Sequence, residues 1–202
     1  MSSSSPNHNL PDNRGNYKLK AARRHFDNLR QIEDIAGSLV SSNDRMYVEM
    51  EIDESLYNLV GVKDALLQEI NCKFNLGLSP DEVWTKTINA ELRQKIEPDA
   101  KEDLMKDICH MESNKNHQLW LINELHNHSK HRAIITKAIT MVIDRKETSV
   151  ALINPRTNMP MRTNEGKLKP IIEYLEESYA EIEDLQKKVR EKIRLYRNSM
   201  GN

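Results

Sequence analysis

Cysteine, glycine, aromatic residues and uninterrupted apolar runs are all scarce in this chain, and each scarcity removes a class of protein. Only Cys72 and Cys109 are present, 37 positions apart and without paired spacing. That pattern suits neither a cysteine-anchored zinc site nor a secreted disulfide framework, so both read as reduced core or boundary thiols. Six glycines in 202 residues and 5% aromatics leave little material for tight turns and favour long helices. No apolar run approaches the ~18 residues of a membrane-crossing helix. The start, Met1 to Asn9, has neither the basic nor the apolar region of a leader; cytoplasm is the expected location. Neither sign of charge dominates. Lys and Arg total 30 against 31 for Asp and Glu, a net of −1, so any contact with nucleic acid has to come from a local patch rather than a global field.

What is abundant is charge at helical spacing. Residues 1–15 are rich in Ser, Asn and Pro and read as a disordered tail. Leu19, Ala22, Phe26, Leu29, Ile32, Ala36 and Leu39 then recur at steps of three and four, an amphipathic helix. Ser41 to Asp44 breaks it. A second, longer helix is predicted from Arg45 to Phe74, with Met46, Met50, Leu56, Leu59, Lys63, Leu66, Ile70 and Phe74 on its broad apolar face. Gly77 can take the left-handed conformation that ends it. Ser79-Pro80-Asp81-Glu82 reads as the start of a third helix carrying Val83, Trp84, Ile88 and Leu92. A fourth helical region opens near Asp99, with Leu104, Met105, Ile108 and Met111. Across the polar break at 112–116 the pattern resumes from His117 to Leu125, as one kinked helix or two. Met46, Met50, Met105 and Met111 are read as core.

Beyond Arg132 the residues become β-branched. Residues 134–153 suit a small β-hairpin turning at Asp144–Glu147, the alternative being that 132–143 continues as a helix. From Leu168 to about Tyr196, apolar residues at Ile171, Leu175, Ile182, Leu185, Val189, Ile193 and Tyr196 trace the seam of a long helix with a charged outer face, Glu183 and Lys187 forming an attractive pair. The expected fold is all-α. A bundle core over 16–132 is followed by an irregular or hairpin segment over 133–166 and a long terminal helix over 167–198. Together they form one domain of four to five helices.

Chemistry concentrates in one segment. Residues 117–132 hold His117, His126, His128 and His131, four of the seven histidines, and imidazole is the side chain that titrates near neutral pH. Such residues also close helix ends through backbone hydrogen bonds. A metal site is not expected, because Glu124 and His128 lack the Glu-x-x-His spacing of carboxylate-bridged bundles and no second pair exists. No cofactor is implied.

The stretch from Trp120 through Leu125-His126-Asn127-His128-Ser129-Lys130-His131-Arg132 resembles the signature of HEPN domains, in which an Arg, a polar residue and three variable residues precede a His. Asn127 and His131 match the polar residue and the terminal His; His126 stands where the family has Arg. The resemblance implies a helical bundle, often dimeric, with the motifs of two subunits facing across a cleft. It also implies a metal-independent ribonuclease, or a relative that has lost that activity and binds or scaffolds instead. On that comparison His131 and His126 are the catalytic candidates, and Asn127 and Arg132 position phosphate. Glu49 and Asp53, four apart on the second helix, are the acids that could orient a histidine across the bundle. RNA and a second copy of the chain are the partners implied. Replacing Arg by His126 removes a permanent bidentate fork for phosphate, since a histidine holds phosphate only when protonated. The alternative is a non-catalytic helical interaction protein acting through its terminal helix, as a homodimer or with another chain.

Overall fold

Long runs of helix formers with few glycines give long rods. The computed structural model describes residues 10–32, 45–115, 117–132, 139–144 and 147–199. Among these residues there are six α-helices: α1 (Leu10–Arg30), α2 (Arg45–Lys73), α3 (Thr85–Leu92), α4 (Pro98–Ser113), α5 (Gln118–Arg132) and α6 (Ile171–Ser199). Between α5 and α6 lie strands β1 (Ile139–Asp144), β2 (Glu147–Asn154) and the short β3 (Met159–Pro160).

Helix α2 is the centre of the molecule. Its core stripe of Val48, Ile52, Leu56, Leu59, Leu66 and Ile70 is almost wholly buried; Leu56, Leu59, Leu66 and Ile70 are on the predicted face, whereas that face does not include Val48 and Ile52. Met46 and Met50 are not part of the stripe: they are 78% and 48% exposed, so of the four methionines read as core only Met105 and Met111 are buried. Their four-residue step is in phase with Asp53 and Tyr57 on the outer stripe, not with Val48, Ile52 and Leu56. The helix closes at Asn75, whose φ of 50° lets the Leu76 N–H reach back to the Asn71 carbonyl at 3.0 Å. Asn75 therefore takes the capping role expected of Gly77, which is also left-handed at φ 76°. The Asn71 amide then binds both backbone groups of Leu78.

Other boundaries move for local reasons. Helix α1 starts at Leu10, inside the predicted tail, with Pro11 in its first turn, and ends at Arg30. Ala36 and Leu39, predicted to extend it, lie outside the described residues. At Ser79 only a 3₁₀ turn forms, Pro80–Glu82, with Glu82 bound to the Ser79 hydroxyl and N–H. The helix proper restarts at Thr85, where the Thr87 hydroxyl accepts from the Trp84 N–H at 3.1 Å. Helices α4 and α5 are separate, and His117 caps the second by accepting the Leu119 N–H on its Nδ1 at 3.2 Å.

Cross-helix contacts fix the directions. Arg30 meets Glu176 at 2.7 Å and Arg190 meets Asn16 at 2.7 Å, so α1 and α6 run antiparallel. His25 meets Glu51, and Lys18 meets Asn58, so α1 also opposes α2. Lys63 is buried on α2 and paired with Glu112 at the end of α4 at 2.9 Å; the same Glu112 oxygen accepts the Thr85 hydroxyl at 2.6 Å. Because α5 begins just beyond Glu112 and its His126 reaches Tyr57, α5 returns along α2 toward that helix's start.

The predicted hairpin is present. β1 pairs antiparallel with β2 from Ile139↔Leu152 to Asp144↔Glu147, and β3 adds Ile153↔Pro160. Ala151, Leu152 and Met161 are buried, the last two within the common core. The seam of α6 (Ile171, Tyr174, Leu175, Ile182, Leu185, Val189 and Ile193) is likewise buried. It is consumed by the bundle rather than left for a partner. Cys72 is exposed and Cys109 half-buried, burial pushing the Cys109 thiol above its ordinary range. No helix among the described residues is long and apolar enough to cross a membrane.

Candidate functional site

The C-terminal half of α5 brings His126 onto the outer stripe of α2. His126 is half-buried with its ring 5.6 Å from that of Tyr57, tilted by 49°. Tyr57 projects between α1 and α5 and is 50% exposed. From the α1 side the Lys18 ammonium sits 4.1 Å from the same ring's centroid, a cation–π contact, and donates to Asn58 Oδ1 at 3.2 Å. A lysine, a tyrosine and a histidine from three helices thus form one half-exposed cluster.

Gly61 makes room for it. A Cβ there would come within 3.0 Å of Lys18 Cε and 3.1 Å of its Cδ, so the lysine stem lies across a gap that a side chain would fill.

Asn127 follows His126 and is also half-buried. The backbone of residues 128–132 continues α5. The side chains of His131 and Arg132 lie outside the described part, and a five-residue step turns about 140° around a helix axis. His117, the fourth histidine of the segment, is drawn away to the other end of α5. Its ring stands 5.8 Å from that of His110, beside a hollow lined by Asp107, Glu181 and Asp184. Burial raises the Glu181 carboxyl above its usual range, and His117 opposes that rise. Of the two acids, Asp53 is half-buried one turn before Tyr57, on the stripe that α5 approaches. The Glu49 carboxylate is held within its own helix by Arg45 Nε at 2.8 Å.

A second polar centre lies further along the α1–α2 seam. Glu51 is only 3% exposed; its Oε2 lies 2.6 Å from His25 Nδ1 and its Oε1 accepts from the Asn28 amide at 3.0 Å. The Tyr47 hydroxyl is raised above its ordinary range, first by desolvation and then by its hydrogen bond to Glu51. A buried carboxylate behind a partly exposed imidazole fixes the ring's orientation, the arrangement that acid–base chemistry and tight helix docking both use. One signal for it was present in the sequence: Glu51 falls among Val48, Ser55, Asn58 and Val62 at inward-facing spacing, where an unpaired acid would be costly.

The cluster can hold an anion. Lys18 supplies a permanent charge and His126 an imidazole beside an aromatic ring half open to solvent. Comparison with family models, with curated proteins and with solved structures finds no match to this chain, so the HEPN resemblance rests on the motif residues themselves.

Proposed function

We propose that this protein is an RNA-directed helical bundle of the HEPN-like kind, contacting the phosphate backbone through Lys18 and His126 beside Tyr57, with Asn127 next to His126 on α5. The observation that carries the reading is the position of Lys18. The motif lacks its arginine, and a lysine from another helix brings a permanent cation to the same tyrosine that His126 touches. Fixed by the ring and by Asn58, that ammonium can meet phosphate as a point charge, and basic groups interleaved with an exposed aromatic suit a single strand. In the catalytic form of this reading His131 moves the proton and no metal takes part.

Two measurements on the full chain test it. Fluorescence anisotropy with a single-stranded RNA oligomer at fixed ionic strength is expected to show Lys18→Gln weakening binding about three- to tenfold. Equal affinity in wild type and variant overturns the reading. Cleavage of the same RNA in EDTA, compared with His131→Ala, tests the ribonuclease part. Identical background in both leaves a binding protein and removes the enzyme.

One observation favours a second reading, a helical interaction protein. Met46, Met50 and Tyr57 form an exposed apolar stripe on α2, of the kind that partner surfaces use. With the seam of α6 consumed internally, this stripe replaces the terminal helix as the contact surface. A chain that stays monomeric in light scattering at high concentration counts against self-association through it.

A further inference from the structure

We infer that the other end of the bundle, where the last turns of α2 and α6 meet the start of α1, binds a multiply charged anion of the oligophosphate class. A hollow of about 470 Å³ opens there, lined by Lys73, Arg190, Arg194 and Arg197, with Asn16 and Glu69. That size suits a small-molecule site. Four cations face one carboxylate. On α6 Lys187 pairs with Glu183 at 2.9 Å and Lys188 with Asp184 at 2.5 Å. Lys192 pairs with Asp103 at 3.1 Å and Arg190 with Glu69 at 3.0 Å. Arg194 and Arg197 alone have no hydrogen-bond or ion-pair partner among the described residues.

Their spacing sharpens the point. Positions 190, 194 and 197 fall on one face at steps of four and three, where like charges destabilise a helix. A helix C-terminus favours cations, and Lys73 in the last turn of α2 fits that structural role. Arg194 and Arg197, however, donate to no terminal carbonyl among the described residues, so their guanidinium forks remain available. Arg190, held by Glu69 and Asn16, forms the rigid back of the hollow. Planar forks converging on one concavity match phosphate oxygens in two-point fashion, and a ligand with several phosphates answers a charge excess that a single one would not. The hollow is distinct from the Lys18–Tyr57–His126 cluster, about 18 Å away along α2, and does not depend on the RNA reading.

Isothermal titration of the full chain with sodium tripolyphosphate, at low ionic strength and without divalent ions, tests the inference. Saturable one-to-one binding is expected, weakened roughly tenfold or more by Arg194→Gln with Arg197→Gln. Lys187→Gln with Lys188→Gln, on the same helix but outside the hollow, leaves it unchanged, and so does Lys18→Gln. Apart from the half-buried Lys18 these side chains are exposed, and circular dichroism checks that each variant keeps its fold. Absence of saturable binding to wild type overturns the site. So does an equal loss in the Lys187/Lys188 control, which would reduce the effect to diffuse charge. Loss of RNA binding in Lys18→Gln with tripolyphosphate binding intact would separate the two surfaces.

Discussion

Gly61 stands near the middle of the 29-residue helix α2, where glycine costs about 1 kcal/mol relative to alanine. Helical backbone there needs no positive φ, so the conformational freedom of glycine is not what the position uses. What it uses is the missing side chain, since Lys18 passes where a Cβ would be. The atoms in the way belong to a flexible stem that can swing aside, which separates stability from function at one residue. Gly61→Ala is expected to gain up to about 1 kcal/mol in thermal or urea unfolding and to weaken RNA binding as the ammonium leaves Tyr57. A variant that is more stable with unchanged RNA affinity would show that Lys18 does not work from that position.

At the scale of elements, the two longest helices were plain in the sequence. α2 and α6 run within a few residues of their predicted bounds because each carries seven or more turns of repeating apolar spacing, and the hairpin followed from β-branched residues on either side of a polar turn. What periodicity did not supply was phase. Met46 and Met50 obey a helical step yet sit outside, since a four-residue interval belongs equally to the inner and outer stripes. Start signals misled for a similar reason: Ser79-Pro80-Asp81-Glu82 makes a capped turn, but the chain needs a second start at Thr85 to bring Ile88 and Leu92 into the core. Of the candidate cluster, the sequence singled out His126 alone. Lys18 and Tyr57 meet 39 positions apart in sequence, and no local pattern encodes that meeting.

Ties between elements also set a pH dependence. Asp103 on α4 accepts a hydrogen bond from the Tyr196 hydroxyl of α6 at 2.7 Å and lies 3.1 Å from Lys192 Nζ. The tyrosine first, and the lysine second, hold its carboxyl below the usual range despite some desolvation. A carboxyl lowered by folding stabilises the fold above its unfolded value, near 3.9, and loses that contribution as pH falls through the lowered folded value. Tyr196→Phe removes the larger cause, so the Asp103 titration followed by carboxyl carbon shifts is expected to move up toward the ordinary value. The variant's deficit in α4–α6 docking should be present at neutral pH and fade in acid. An unmoved Asp103 titration would mean that Lys192 alone holds it. Because Asp103 is nearly half exposed, solvent keeps the energy small.

On the scale of the whole molecule, α6 is the keel against which the other rods close. It opposes α1 through Arg30–Glu176 and Asn16–Arg190, and is tied to α2 through Glu69–Arg190 and to α4 through Asp103. Its buried seam (Ile171, Tyr174, Leu175, Ile182, Leu185, Val189 and Ile193) belongs to the same hydrophobic cluster as Phe26, Leu66 and Ile108. Each such side chain contributes about 1.5–3 kcal/mol when buried. Seven of them together reach or exceed the roughly 5–15 kcal/mol by which a domain of this kind is stable. Removing the helix therefore does more than cut away an interaction surface: it uncovers apolar surface on α1, α2 and α4, which pack against it. A chain ending at Lys169 is expected to lose cooperative unfolding in circular dichroism and to aggregate. If it instead melts sharply as a folded monomer, then α1 to α5 form a core by themselves, and α6 becomes an appendage whose apolar seam is free for a partner after all.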